Sequence, residues 1–88
     1  MATPLHFAIL VNNVTNMRLL LKHNASPNVK DNTGNTPMHM AVAQQNLQMV
    51  RLLDTYNADA RIKNMDGVSA IDIAITEDIR DIKLHFMS

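Results

Sequence analysis

TPLHFA at residues 3–8 returns as TPMHMA at residues 36–41, with four of its six letters unchanged. Each copy places a threonine three residues before a histidine, and a hydroxyl beside an imidazole is a pairing used in nucleophilic catalysis. Threonine also caps the first turn of helices, so the same letters can serve structure alone. The rest of the sequence decides between a reaction centre and a structural element.

The repetition covers the whole interval between the two segments. Residues 3–35 aligned with residues 36–68 share twelve identical positions, whereas chance would supply about two or three at ordinary residue usage. A third, more divergent copy begins at the same spacing with SAIDIA at residues 69–74. In its second half Lys83 and His85 replace apolar residues, which suits an end repeat with one solvated face. The chain is therefore a tandem array.

Each copy predicts two short helices and a turn. Thr3, Thr36 and Ser69 can accept a hydrogen bond from a first-turn N–H group, and the first two are followed by proline, which is favoured at the first helical position. Asn24 and Asn57 each follow a helical run and fit the left-handed position that ends many helices. The turns after them contain the only two glycines of the chain, and we expect both at positive φ. A hairpin-like loop is therefore predicted between successive helix pairs.

The 33-residue period and the T-P-L-H-x-A pattern resemble those of ankyrin repeats over essentially the whole chain. TPLHFA matches this pattern fully, and TPMHMA matches it with Met in place of Leu. The resemblance implies an all-α repeat solenoid, in which stacked helix-turn-helix units are joined by β-hairpin-like loops. It also implies one ankyrin-repeat domain over residues 1–88, with repeat 1 at 1–33, repeat 2 at 34–66 and a C-terminal capping-like repeat 3 at 67–88.

Four residues depart from the family pattern. Asn12 and Gln45 stand where the family prefers Gly, Asp54 stands where Leu is usual, and Asn16 stands where Ile is usual. These departures predict an array that is less stable than a consensus one. Asn16 lies in the first repeat, where its polarity suits a face on which nothing is stacked.

Composition excludes several classes of function. The chain has 88 residues, no Cys, eight basic and eight acidic side chains, and three aromatic residues, Phe7, Tyr56 and Phe86. Neither phosphate neutralisation nor base stacking has a dedicated surface, so we expect no nucleic-acid partner. The longest apolar run, residues 7–11, is far shorter than the roughly 20 residues that span a bilayer. We expect no membrane insertion and an intracellular, cytoplasmic protein, with the nucleus left open as the alternative.

The paired Thr and His residues admit a catalytic and a structural interpretation. In the catalytic one, His6 and His39 are general bases or ligands, and the neighbouring threonines are nucleophiles. However, Asp72 occupies the equivalent position in the third copy, and no carboxylate stands at a repeated spacing to orient a base. The sequence favours the structural interpretation, in which each imidazole hydrogen-bonds the turn and caps its own helix. His23 and His85 are isolated, and we expect them to be exposed.

Neither a metal site nor a cofactor site is predicted. Asp31–Asn35 offers oxygens at alternate positions, but a calcium loop needs Gly at its sixth position and Glu at its twelfth. Thr36 and Val42 occupy those positions, so a tight turn is the better interpretation. We therefore expect no metal, no cofactor and no enzyme activity.

Methionines and large apolar residues at helical spacing are expected to pack in the stack. Leu5 and Phe7 belong to this group, together with the methionines at positions 17, 38, 40 and 49. Met65 is the exception because it lies at a turn tip, where an exposed thioether suggests contact with a partner.

A protein or peptide partner is the expectation that the resemblance supports. Stacking fixes the core positions of an array, whereas turn tips and the concave face of the first helices are free to specialise. The candidate tip residues are Lys30, Asn32, Thr33, Asn35, Lys63, Met65, Asp66 and Val68. The candidate concave residues are Leu10, Val11, Ala43, Gln44, Thr76 and Glu77, and His23 and Tyr56 are placed near the rim.

Two further expectations accompany this protein-interaction hypothesis. The alternative function is an architectural or regulatory segment excised from a longer scaffold, enzyme or channel. It rests on the abrupt start at Met1 and Ala2, which leaves an uncapped face for self-association or for packing against further repeats. By resemblance alone, Asn28 stands where ankyrin repeats can be β-hydroxylated, whereas Arg61 replaces this asparagine in the second repeat.

Overall fold

The computed structural model describes residues 3–87, and these residues form six helices and no strand. The helices are α1 (Pro4–Leu10), α2 (Val14–Lys22), α3 (Pro37–Ala43), α4 (Leu47–Thr55), α5 (Ala70–Thr76) and α6 (Arg80–Met87). Met1 and Ala2, which carried the expectation of an uncapped start, lie outside the described residues, as does Ser88 at the end of the predicted third repeat.

The first helix of each copy begins as predicted from its capping residues. The Thr3 hydroxyl accepts from the His6 N–H at 3.3 Å, and the Ser69 hydroxyl accepts from the Asp72 N–H at 3.1 Å. Thr36 caps α3 in the same way. In all three copies the third helical residue returns the bond by accepting from the backbone N–H of the cap. Two first-turn donors are thereby satisfied at each start.

Residues with left-handed backbone lie at the predicted helix ends and loop turns. Asn24 and Asn57 have φ values of 70° and 66°, and Gly34 and Gly67 have 80° and 73°. The turn between the two helices of each pair is left-handed as well, at Asn12, Gln45 and Asp78. The family prefers glycine at the first two of these positions, and Gln45 keeps φ at 56° without the freedom of glycine.

The helices form two rows, with α1, α3 and α5 in one row and α2, α4 and α6 in the other. The first helices have seven residues each, whereas the second helices have eight or nine. The first helices also pack on one another more extensively than the second helices do. This closer packing curves the stack toward the row of first helices.

Apolar side chains between the two rows form the core. Its fully buried members include Leu5, Ile9, Met17, Met38, Val42, Met49, Val50, Leu53 and Ile82. Met40 is partly buried against this core, so the predicted packing role of these methionines is confirmed.

The expectation that Phe7 fills the stack is wrong. Its side chain is 59% exposed, whereas the equivalent Met40 and Ile73 are partly buried against the core. These two residues lie on helices that come after another first helix. Phe7 lies on α1, the first of the six helices within residues 3–87.

The loops between helix pairs close and stack through backbone hydrogen bonds. The Asp31 N–H donates to the Asn35 carbonyl at 3.0 Å, and the Asn64 N–H donates to the Val68 carbonyl at 2.9 Å. The second loop is joined to the first by the Met65 N–H, which donates to the Thr33 carbonyl at 3.0 Å. The hairpin-like connection predicted from the turn residues is therefore present, and the two loops lie side by side.

Candidate protein-interaction surface

The two repeated histidines lie inside the stack and bind polar atoms at both ring nitrogens. His39 is 2% exposed. The Thr36 N–H donates to its Nδ1 at 3.0 Å, and the Thr36 hydroxyl lies 2.8 Å from the same atom. This pattern assigns the proton of the neutral ring to Nε2, which donates to the Val68 carbonyl at 2.8 Å. His39 thus caps its own helix and holds the loop that comes after it.

His6 repeats this arrangement in the first copy. Its Nδ1 lies 2.8 Å from the Thr3 hydroxyl, and its Nε2 lies 2.8 Å from the Asn35 carbonyl oxygen. With both nitrogens engaged and the ring 1% exposed, the imidazole is not placed to take a proton from a bound substrate. The structural interpretation of the histidines is confirmed, and each also reaches the loop of the next copy.

The Asp31 carboxylate stabilises its own turn by accepting hydrogen bonds. Its Oδ1 accepts from the Thr33 N–H, the Thr33 hydroxyl and the Asn35 N–H, each at 2.9 Å. Partial burial alone would raise the pKa of Asp31, but the hydrogen bonds from Asn35 and Thr33 outweigh it and hold the pKa below its usual value. In the part of the chain that is described, no cluster of three or more His, Asp or Glu side chains is placed to hold a metal ion.

The tips of the two loops carry the exposed part of the predicted contact set. Asn32, Thr33, Met65 and Asp66 are exposed, and the Met65 side chain is 77% exposed. The flanking lysines at positions 30 and 63 are exposed as well. Met65 therefore presents a large apolar side chain to solvent while its backbone is held by the neighbouring loop.

Asn35 and Val68 were also predicted as tip contacts, but both are partly buried. Their carbonyl groups accept from the two histidines, and the Asn35 side-chain oxygen accepts from the Asn64 amide at 2.9 Å. These two residues join the loops to the helices. They hold the loops in place and add little to the exposed tip surface.

The first-helix face is the surface made by the equivalent exposed positions of α1, α3 and α5 and the residue after each helix. Its members are Phe7, Leu10, Val11, Ala43, Gln44, Thr76 and Glu77. Leu10 and Val11 are 63% and 51% exposed, and Ala43, Thr76 and Glu77 are exposed too. Gln44 is partly buried because its side-chain amide donates to the Ile9 carbonyl at 2.8 Å.

His23 and Tyr56 occupy equivalent positions at the ends of α2 and α4. His23 is exposed, as expected. Tyr56 is partly buried against the core, so only part of its ring is open to a partner. Of the predicted rim pair, His23 is the accessible member.

A family model described as "Ankyrin repeats (3 copies)" matches residues 1–66. The chain belongs to the ankyrin-repeat family. Ankyrin repeats are generally protein-interaction modules. A comparison with curated proteins gave no match. Among the helices of residues 3–87, none is long and apolar enough to cross a membrane.

One departure from the ankyrin pattern creates a contact that the sequence did not suggest. Asp54 is exposed, and its Oδ2 lies 3.3 Å from Nε2 of His85 on α6. The expectation that His85 is isolated and exposed is wrong, because α6 packs beside α4 and leaves this histidine partly buried. Since Asp54 replaces the usual leucine, this ankyrin stack has a polar contact where the family pattern places an apolar one.

Asn28 bridges two repeats of this ankyrin chain. Its side-chain oxygen accepts from the Asp59 N–H at 2.7 Å, and the residue is partly buried. Asp59 in turn accepts from the Arg61 N–H at 2.9 Å. Hydrogen bonds from the backbone and side chain of Arg61 hold the pKa of Asp59 below its usual value. The amide of Asn28 therefore has a structural partner.

Several exposed apolar residues fall outside the predicted contact set. They are Phe7, Leu19, Ile75, Leu84 and Met87. Phe7 belongs beside Leu10 and Val11 by helical spacing, so an i, i+3, i+4 count from Phe7 could have found it. The exposure of the other four depends on which helices are adjacent in the fold, and the sequence alone does not predict that.

Proposed function

We propose that this chain is a non-catalytic interaction module that binds a protein or a peptide. The exposed tip residues and the first-helix face form the binding surface. The observation that carries the proposal is a set of large apolar side chains, Phe7, Leu10, Val11 and Met65, that are exposed on these surfaces. The scaffold beneath them is complete, since within residues 3–87 no buried side-chain N or O atom is left without a hydrogen-bond partner.

The composition favours a protein partner over a nucleic acid. The formal net charge is zero and only three residues are aromatic, so phosphate contacts and base stacking have little to act through. Aromatic and methionine side chains are enriched in protein interfaces. We place the module inside the cell, in the cytoplasm or the nucleus, without membrane insertion.

The test is partner capture by matched variants. Replacing both Asn32 and Met65 with Ala removes two exposed tip side chains that make no side-chain hydrogen bond within residues 3–87. A control variant replaces Gln48 and Arg51, which are exposed on α4. We expect the tip variant to capture less of each partner than wild type does, while the control captures as much.

Thermal unfolding followed by circular dichroism accompanies the capture experiment. Surface substitutions of this kind change stability by about 0.5 kcal/mol or less, so all three proteins should melt alike. Equal capture by the tip variant and by wild type, with unchanged melting, would count against the tip surface.

A second function is favoured by the exposed start of the first copy. Pro4 is exposed, whereas the equivalent Pro37 is buried. A groove lined mainly by apolar residues also opens beside Pro4, between Leu5, Leu20, Ala25 and Val29. These features suit an architectural or regulatory ankyrin segment that packs against a further repeat or a second copy.

Light scattering over a wide range of concentrations tests packing against a second copy. Mass that rises with concentration, and that falls when Phe7 is replaced by Glu, would support it. A constant monomer mass would remove self-association from consideration.

Asn28 remains a proposed hydroxylation site by family resemblance alone. Mass spectrometry of the peptide that contains Asn28, after expression with an asparaginyl hydroxylase, tests it. Addition of one oxygen atom is the expected result, and an unmodified peptide would contradict it.

A further inference from the structure

The first-helix face changes chemistry from one end of the stack to the other. In the first copy its three positions hold Phe7, Leu10 and Val11, all large, apolar and more than half exposed. The segment from Pro4 to Asn13, which contains these three residues, carries no Asp, Glu, Lys or Arg. This end of the face therefore offers apolar contact without charge.

The middle of the face carries uncharged side chains that project little. Ala43 is the exposed counterpart of Leu10 and contributes only a methyl group. Gln44, the counterpart of Val11, lies against α1 through its hydrogen bond to the Ile9 carbonyl. Met40, the counterpart of Phe7, is partly buried against the core, so the exposed side chains of the second copy project less than those of the first.

The far end of the face is acidic. Thr76 and Glu77 replace the apolar pair of the first copy and are exposed, and Asp72 and Asp78 lie on the same helix and in the turn after it. Lys83 pairs with Asp78 at 3.1 Å. Glu77 takes part in none of the ion pairs within residues 3–87. Its charge is available to a cation on a partner.

From this gradient we propose that the first-helix face binds an extended peptide segment with bulky apolar residues at one end and Lys or Arg at the other. The inference rests on the proposed function and specifies the partner of the same surface. The apolar end would cover Phe7, Leu10 and Val11, and the basic end would approach Glu77. Anionic nucleic acid and anionic membrane surfaces are disfavoured, because the Glu77 carboxylate, which takes part in none of the ion pairs within residues 3–87, would repel them.

The dimensions of the stack set the spacing within the peptide. Neighbouring helix axes lie about 8–10 Å apart, so α1 and α5 are separated by roughly 16–20 Å. An extended chain advances about 3.3 Å per residue and covers this distance in about five or six residues. A helix would need about eleven to thirteen residues, a length at which isolated helices are marginal in water. The extended conformation is therefore the expected one.

Synthetic peptides test this inference directly. The first probe carries Phe-Leu and Arg-Arg separated by four Gly or Ser residues. The second replaces Arg-Arg with Glu-Glu, and the third replaces Phe-Leu with Ser-Ser. Binding is measured by fluorescence anisotropy at low ionic strength. We expect the first probe to bind about tenfold more tightly than the second, a difference of the size that two exposed charge contacts provide. The third should also bind more weakly.

A charge reversal in the protein supplies the matched test. Glu77→Lys should invert the preference, so that the Glu-Glu probe binds more tightly than the Arg-Arg probe. Glu77 is exposed and comes directly after the last turn of α5, where a cation suits the helix dipole, so folding should be preserved. A control, Arg51→Glu on α4, should leave the preference unchanged. The preference of wild type should also shrink at high salt.

Two outcomes would overturn the inference: equal binding of the Arg-Arg and Glu-Glu probes by wild type, or an unchanged preference in Glu77→Lys. The proposed function would survive either result if the Asn32 and Met65 double variant still loses natural partners. Conversely, probe discrimination together with unimpaired capture by the tip variant would place the interaction on the first-helix face alone.

Discussion

The helix starts at Thr36 and Ser69 share their cap geometry but differ in their contacts with the next part of the stack. At Thr36 the third helical residue is His39, which accepts from the cap and donates to the Val68 carbonyl of the next loop. At Ser69 that residue is Asp72, which accepts from the Ser69 N–H at 2.9 Å and is exposed. Carboxylate can only accept a hydrogen bond, whereas neutral imidazole accepts at one nitrogen and donates at the other. A copy that holds the loop of the next copy uses histidine, and the last described copy uses aspartate.

The glycines of the two loops also differ in whether a following loop packs against them. A β-carbon built on Gly34 would lie 2.9 Å from the Met65 backbone nitrogen in the neighbouring loop. A β-carbon on Gly67 would meet no atom within 4 Å. Both residues have positive φ, so the turn itself requires glycine-like freedom in each. Only Gly34 is also needed for the close approach of a second loop.

Replacing His39 with Ala should produce the largest loss of stability. It would leave the buried Thr36 N–H without its partner, would remove one of the two hydrogen bonds that the Val68 carbonyl accepts, and would open a cavity in the stack. Unsatisfied buried groups together with lost packing predict a decrease of about 3 kcal/mol in the free energy of unfolding. Urea denaturation measures it.

Two controls separate the hydrogen bond from His39 to the Val68 carbonyl, called the bridge below, from general effects of histidine replacement. His23→Ala, on the exposed residue after α2, should change the free energy of unfolding by less than about 0.5 kcal/mol. Asp72→Ala should cost less than His39→Ala, because it removes a cap but no bridge. Equal losses in His39→Ala and Asp72→Ala would mean that the bridge to Val68 contributes nothing.

The two glycines give the next largest effect. Gly67→Ala should cost about 1 kcal/mol, since an L-residue at positive φ is strained but has space. Gly34→Ala should cost more, about 2–3 kcal/mol, because the methyl group also forces the two loops apart. Thermal unfolding of both variants measures the difference, and a Gly67→Ala loss as large as that of Gly34→Ala would argue against loop stacking as its cause.

The sequence predicted the features that depend on short-range chemistry and missed those that depend on neighbouring elements. Thr3, Asn24 and Gly34 were predicted correctly because capping and left-handed backbone are decided within a few residues. Phe7 was misplaced because burial of this position depends on contacts between helices, which no local pattern reports. The contact of His85 with Asp54 was missed for the same reason: it joins α6 to α4 across the stack. The candidate binding residues and the repeat boundaries stay predictions.

A gain in stability is expected at the turn between helices, and it is smaller than the losses above. Gln45 holds φ at 56° where the family prefers glycine. Gln45→Gly should raise the free energy of unfolding by about 0.5–1 kcal/mol, because relief of strain exceeds the added entropy of the unfolded chain. Asn12→Gly should gain less, since asparagine tolerates the left-handed region better. Denaturation midpoints that fall in Gln45→Gly would contradict this account of strain.

The smallest expected effect is an acid sensitivity that belongs to the third copy's cap. Hydrogen bonds from the backbone and side chain of Ser69, with a contribution from the charge of Lys63, hold the pKa of Asp72 below its ordinary value of 3.8. Because the folded pKa is the lower one, the ionised cap stabilises the fold fully at pH values above the unfolded pKa. This stabilisation is lost as the pH falls through the folded pKa.

Asp72→Asn removes this titration, so the difference in the free energy of unfolding between wild type and variant should be constant near neutral pH and should shrink below about pH 4. Urea denaturation from pH 7 to pH 3 measures it. Asp31, whose pKa is also lowered, is present in both proteins and cancels from the difference. A difference that stays constant down to pH 3 would show that the charge of Asp72 does not strengthen the cap. The contrast between the starts of α3 and α5 would then rest on the bridge to Val68 alone.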